Sequence, residues 1–176
     1  MKTNSFIEVN GGQKLADINE FCGKIRACKD YQVNPYFVIV ARLEAFIAGY
    51  GVETALERAI AYHQAGADAI LVHSKRSDCR DIDEFMKLWN NRCPIIIVPT
   101  KYHKTPTQHF RDLGISMVIW ANHNLRACVK TIKETSQQIY EQESIPGVEE
   151  SCCTVNEIFR LTGEESLKHD EQNYSK

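Results

Sequence analysis

The sequence has no long apolar run, no glycine-rich phosphate loop and no surplus of charge of either sign. Its apolar stretches are strand-length, which excludes a helix that spans a bilayer. The opening MKTNSFIEVNGG lacks the apolar stretch of a secretory leader. Lys and Arg number 21 against 23 Asp and Glu, so the net charge of −2 makes no case for nucleic acid or an anionic membrane as partner. G-x-x-x-x-G-K-[ST], G-x-G-x-x-G, H-E-x-x-H and H-x-x-E-H are all missing, and the carboxylates form no obvious magnesium cage. Cysteine is not scarce, but none of the seven (Cys22, Cys28, Cys79, Cys93, Cys128, Cys152, Cys153) forms a C-x-x-C pair. Reduced thiols in an intracellular, cytoplasmic protein are the expectation, with the vicinal pair Cys152-Cys153 open to redox chemistry or a soft metal. What remains is a chain of 176 residues, 43% hydrophobic and 25% charged, enough for one domain with a core.

The stretch YFVIVARLEAFIAGYGVETALERAIAYHQAGADAILVHSK, Tyr36 to Lys75, organises that domain. Two nearly continuous apolar runs, Tyr36 to Ala41 and Ala67 to Val72, predict strands buried on both faces, as in a parallel sheet. Between them Val52, Ala55, Leu56, Ala59, Ile60 and His63 recur at helical spacing over 52–65, and Gly66 stands where a helix C-terminus wants glycine. The result is a β-α-β unit with Arg42 after one strand and His73 after the other. In parallel sheets ligands sit at the carboxyl ends of the strands, so a cation beside an imidazole there points to an anion, a phosphate or a carboxylate.

The rest of the chain keeps the same rhythm. Residues 1–14 read as a loop, and an amphipathic helix over 15–27 follows. Helices are predicted over 81–91, 107–113, 125–141 and 154–161, and strands over 95–98 and 115–121. Ile145-Pro146-Gly147 reads as a turn, and the polar residues after 162 as a disordered tail. The fold class is therefore α/β, with four parallel strands adjacent in sequence order and helices outside. Such a unit is either a small open sheet or the C-terminal half of a (β/α)8 barrel, whose usual length is ~250 residues.

Arg42 and His73 lead the candidates for chemistry. Arginine grips phosphate with a planar fork of donors, and histidine donates to the same oxygens. The bland alternatives are a salt bridge from Arg42 to Glu44 and a hydrogen-bonded core histidine. Lys101, Tyr102, His103 and Lys104 form a basic cluster after the third strand, placed to reach the same rim, with a solvated loop the bland reading for His103 and Lys104. Asn122, His123 and Asn124 follow the fourth, where helix capping accounts for one asparagine. Lys2, Asn4 and Ser5 lie in the opening segment, an ordinary terminus on composition alone.

VARLEAFIAGYGVETALERAIAYHQAGADAILVHSK, PIIIVPTKYHKTP and FRDLGISMVIWANHNLRA, taken together, resemble the phosphoenolpyruvate phosphomutase family of the isocitrate lyase superfamily, over nearly everything from Lys2 to Leu161. The resemblance implies a modified (β/α)8 barrel, here truncated to its last four βα units. It implies an isomerase that interconverts phosphoenolpyruvate and phosphonopyruvate with magnesium. It assigns Arg42 and His73 to phosphoryl binding, and matches Lys2 and Asn4-Ser5 to the end of a gating loop E-D-K-x-x-x-x-x-N-S, with Lys2 and Asn4 catalytic and Asn4 and Ser5 on the substrate. Residues 1–14 are then the remnant of that loop, 15–161 a partial barrel and 162–176 a tail. The family's magnesium ligands match nothing in this sequence, so the isolated chain is expected to be inactive. Its expected partners are the small-molecule substrate and either its own copies or a full-length homologue. The helix over 154–161 is the candidate for exchange between subunits. A non-catalytic fragment, a phosphonopyruvate hydrolase and a carbon–carbon lyase are the alternatives; Asn4-Ser5 favours the mutase.

Overall fold

The structure is a computed structural model that describes residues 14–175. Four strands, β1 (Val40–Leu43), β2 (Ala69–Val72), β3 (Ile95–Ile97) and β4 (Met117–Val118), form one parallel sheet in the order β1-β2-β3-β4. Helices follow each strand: α1 (Ile18–Asp30) precedes β1, and α2 (Val52–Gln64), α3 (Arg80–Trp89) and α4 (Thr107–Asp112) separate the strands. After β4 come α5 (His123–Gln142), α6 (Pro146–Glu149), α7 (Val155–Thr162) and α8 (Glu164–Tyr174). The chain forms two compact units, one ending at Ala121 and the other beginning at Asn122, a boundary inside the stretch 15–161 read as one domain. No helix among the described residues is long and apolar enough to cross a membrane.

Register sorts the sheet's side chains. Leu43, Val72, Ile97 and Val118 are partners across the four strands, as are Ala41, Ile70 and Ile95 across three. These rows point to the face covered by Cys22 and Ile25 of α1, Ala55, Ala59 and Tyr62 of α2, and Ile82, Phe85 and Trp89 of α3. Each large side chain fully buried there contributes ~1.5–3 kcal/mol. Phe85 stacks on Trp89 at 5.4 Å between ring centroids, and the Trp89 indole N–H donates to the Cys93 carbonyl at 2.9 Å. The opposite rows, Val40 with Ala69 and Arg42 with Leu71, Ile96 and Met117, lie on the other face. That face is partly open: Val38 is 59% and Met117 55% exposed. The expectation of strands buried on both faces holds for β2 and is corrected for β1, which alternates exposed and buried residues.

β1 also starts later than its apolar run suggests. The Asn34 side chain accepts from the Tyr36 amide at 2.8 Å, and the Gln32 side-chain amide donates to the Asn34 and Phe37 carbonyls, so 34–37 is a turn and Tyr36 is 90% exposed. Arg42 and Leu43 instead join the strand by pairing with Leu71 and Val72. The second strand also begins later, at Ala69, and the fourth shrinks to Met117 and Val118 beside a three-residue neighbour.

Helix ends follow local chemistry. The Asp17 carboxylate caps α1 by accepting from the amides of Asn19 and Glu20, and α7 opens with Thr154 accepting from the Glu157 amide. Gly66 takes φ +105° directly after α2, as its position predicts. In the second unit, Val148 is buried and the Gln138 side chain donates to the Gly147 carbonyl at 3.1 Å, so the segment read as a turn is the short helix α6. The polar tail expected to be disordered is the helix α8, separated from α7 by Gly163.

Asp68 fastens the entrance of the sheet. Its carboxylate accepts from the Ile39 amide at 2.8 Å and from Lys29 Nζ at 3.0 and 3.1 Å, while its own amide donates to the Ile39 carbonyl at 2.9 Å. The Ile39 amide first, then Lys29, holds its carboxyl below the ordinary 3.8 against the opposing pull of burial. Asp68→Ala is expected to cost ~1–2 kcal/mol in urea unfolding and to speed hydrogen exchange at the Ile39 amide selectively. Unchanged Ile39 protection in that variant would show that Asp68 does not fasten β1.

Candidate functional site

The two-residue period of β1 places Arg42 and Glu44 on the same face, and that of β2 places His73 beside them, one residue past the strand's end. Arg42 Nη2 lies 2.8 Å from His73 Nδ1, and Arg42 Nε donates to Glu44 Oε1. His73 Nδ1 is 3.7 Å from the same carboxylate oxygen. A guanidinium only donates, so Arg42 is the donor in its contact with His73. His73 is buried, and the Glu44 side chain is 12% and that of Arg42 46% exposed, so the cluster offers solvent chiefly its cation. Burial alone would raise the Glu44 carboxyl; the His73 and Arg42 side chains more than offset it and leave it below the ordinary 4.5.

The salt bridge from Arg42 to Glu44, the bland alternative, is present, and the same guanidinium also reaches His73. The part the sequence reading missed is Glu44 as the third member. The signal was present in the R-L-E spacing, which puts residues two apart on one face of a strand.

The other candidates separate. Tyr102 is not part of a basic rim cluster: it is fully buried, edge-to-face against Phe110 at 6.2 Å. Burial, then the neighbouring Cys79 and Asp81, push its phenol up. Lys101, His103 and Lys104 are exposed around it. Asn122 stands at the N-cap of α5 without a side-chain capping bond, and His123 and Asn124 are exposed. Lys2, Asn4 and Ser5 lie outside the described residues. Cys152 and Cys153 are exposed thiols.

A second cluster was not foreseen. Cys79 at the N-cap of α3, Asp83 one turn on and His109 of α4 bring one ligand atom each to within 4.8 Å of one another. No sequence pattern links them, because 26 positions separate Asp83 from His109.

The family model for phosphoenolpyruvate phosphomutase matches residues 3–140. The chain belongs to the phosphoenolpyruvate phosphomutase family. It is 57% identical to a phosphoenolpyruvate phosphomutase of Tetrahymena pyriformis over 173 residues, 98% of this chain and 57% of that protein. The crystal structure of the phosphomutase from Streptomyces platensis subsp. rosaceus superposes with a TM-score of 0.96 at 36% identity, over 99% of this chain and 60% of that one. A phosphonopyruvate hydrolase follows at TM-score 0.90 and 37% identity, over 97% of this chain and 60% of that one. The chain thus spans a little over half the length of these relatives. The α/β fold with its parallel sheet is shared with a 2,3-dimethylmalate lyase at TM-score 0.73 and 21% identity.

In a phosphomutase-family frame the Arg42 cluster is held by charge, and the charge is testable. Glu44 has a folded value below 4.5, so its contribution is present above that pH and disappears as pH falls through the folded value. Glu44→Gln is expected to lose ~1–3 kcal/mol at neutral pH, read by thermal unfolding. The deficit should shrink as pH drops below the ordinary carboxylate range. An equal deficit under acid and neutral conditions would mean that shape, not charge, is what Glu44 supplies.

Proposed function

We infer that this chain carries the phosphoryl-gripping side of a phosphoenolpyruvate phosphomutase, an isomerase that interconverts phosphoenolpyruvate and phosphonopyruvate. The observation that carries the reading is the Arg42–His73–Glu44 cluster at the carboxyl rim of β1 and β2, in a chain 57% identical to the Tetrahymena phosphomutase. In this chemistry a phosphoryl group leaves the enol oxygen and bonds to carbon three of the same fragment. Little covalent work falls to the protein; it positions the fragment and offsets charge. Arg42, oriented by Glu44 and His73, supplies a fixed cation and a fork of donors to the phosphoryl oxygens. By resemblance, Lys2, Asn4 and Ser5 close over the substrate and exclude water, which separates a mutase from a hydrolase.

The phosphonopyruvate hydrolase structure holds oxalate and Mg++. The Arg42 cluster does not fit that ion. Magnesium asks for near-octahedral oxygen donors, whereas the cluster offers one carboxylate, already engaged by a guanidinium, and an imidazole. Charge on the enolate end therefore needs groups beyond this cluster, and partial positioning gives no useful partial rate.

With magnesium, the 176-residue chain is expected to convert no phosphonopyruvate by phosphorus NMR. Joined to the preceding segment of the Tetrahymena relative it should turn over. Arg42→Ala or His73→Ala in that protein should lower the rate by ~10²–10³ or more. Turnover untouched by Arg42→Ala would sink the assignment, and phosphate with pyruvate as products would make the protein a hydrolase.

A second reading, a non-catalytic chain that associates with its own copies or a full-length homologue, has its own support. The open sheet face carries Val40 and Met117, and α7 exposes Val155, Ile158, Phe159 and Leu161, which makes it the helix we propose is exchanged between subunits. Apolar patches of this kind favour association. Sedimentation of the chain is expected to show oligomers; a cooperatively unfolding monomer at micromolar concentration would contradict this.

A further inference from the structure

We propose that Cys79, Asp83 and His109 form a binding site for a zinc-class divalent cation, separate from the Arg42 cluster and independent of the reaction assigned to it. Cys79 and Asp83 are four residues apart at the start of α3, so their side chains lie one above the other on one face. His109, in the first turn of α4, closes the group from the next βα unit, with Nε2 2.7 Å from Asp83 Oδ1. Sulfur, carboxylate oxygen and imidazole nitrogen lie within 4.8 Å of one another, so side-chain shifts of about 1 Å bring them to the ~3.3–3.8 Å spacing of three corners of a tetrahedron around a cation with ~2.0–2.3 Å bonds.

The donor set selects the ion. Thiolate and imidazole are poor ligands for magnesium or calcium and good ones for zinc, and three protein ligands leave a fourth position for water or an anion. With Cys79 as thiolate and Asp83 ionised, the two negative charges match one dication, and binding releases the thiol proton to solvent. The site is reachable, because the side chains of His109 and Asp83 are 41% and 28% exposed while Cys79 is buried. A further observation points to a polar occupant nearby. The fully buried Tyr102 hydroxyl has no hydrogen-bond partner among the described residues, and Cys79 is one of its neighbours. Asp78 is also close to Cys79 but is taken by Arg76 and Arg80, at 3.0 and 2.7 Å, and so stays outside the donor set.

The test is a cobalt titration of the 176-residue chain, Co2+ being the spectroscopic stand-in for zinc. The expected result is a thiolate-to-cobalt charge-transfer band in the near ultraviolet with visible bands of tetrahedral intensity. Cys79→Ser should abolish the charge-transfer band. His109→Gln, a change at a half-exposed position that leaves the fold intact by circular dichroism, should weaken binding at least ~10–100-fold. The double variant Cys152→Ser, Cys153→Ser should leave the bands as they are. Zinc should raise the unfolding temperature of the unmodified chain and not that of His109→Gln. Absence of the thiolate band, its survival in Cys79→Ser, or an equal thermal shift in both proteins would overturn the site and leave a hydrogen-bonded staple between α3 and α4.

Discussion

The constraint on which the rest depends is the two-residue period of a parallel sheet held in register by Asp68. One row of partners, Leu43 with Val72 and Ile97, is committed to the helices, and the period then gives Arg42 and Glu44 no choice but the other face. A slip of one residue would bury the guanidinium among Ile82, Phe85 and Trp89 and expose Leu43, exchanging an apolar burial for an unpaired buried charge. The Ile39–Asp68 hydrogen bonds at the strand entrance set that register, and Lys29 extends the fastening to α1. The functional cluster is in this sense a consequence of core packing.

Within the cluster, burial and pairing oppose each other. A carboxylate as shielded as Glu44 is costly to ionise unless polar partners offset its burial, and the His73 and Arg42 side chains do. The arrangement stabilises little in net terms, since desolvation offsets most of the attraction. What it supplies is orientation: the guanidinium is held by two partners on one side, which fixes the plane of its fork before any anion arrives. That is preorganisation, and it is the property a charge-stabilising catalyst needs.

The order of elements, the parallel sheet and the meeting of Arg42 with His73 were legible in the sequence because each rests on a local signal: apolar runs, helical spacing, Gly66 at a helix end. Strand lengths were not. Tyr36, Phe37 and Val38 look like strand, but the Asn34 side chain bends the backbone first, and an apolar run carries no mark of where pairing begins. Burial on both faces was over-read from the same run, as Val40 shows. Tyr102 looked like part of a basic loop because its neighbours in sequence are charged, whereas its ring packs on Phe110. The Cys79, Asp83 and His109 cluster was illegible because two helices bring it together across the sheet's connections, with no spacing rule to announce it.

The loop between β2 and α3 links the two clusters, and its rigidity explains how both can be placed well. Ser74, fully buried, donates to Asp81 at 2.6 Å and accepts from the Arg76 amide at 3.1 Å. Asp78, held well below the ordinary carboxylate range by Arg80 first and then Arg76, ties the middle of the loop to the first turn of α3. Between His73 at one end and Cys79 at the other, these bonds pin the short connection at several points. Loops this short that carry polar groups inward must satisfy them internally, and here the satisfaction fixes two side chains that act in different places. The imidazole is held against Arg42 on the open face of the sheet, and the thiol is held at the cap of α3 beside Asp83. A change that loosens Ser74 would therefore disturb both, while a change at Glu44 or at His109 would disturb only one.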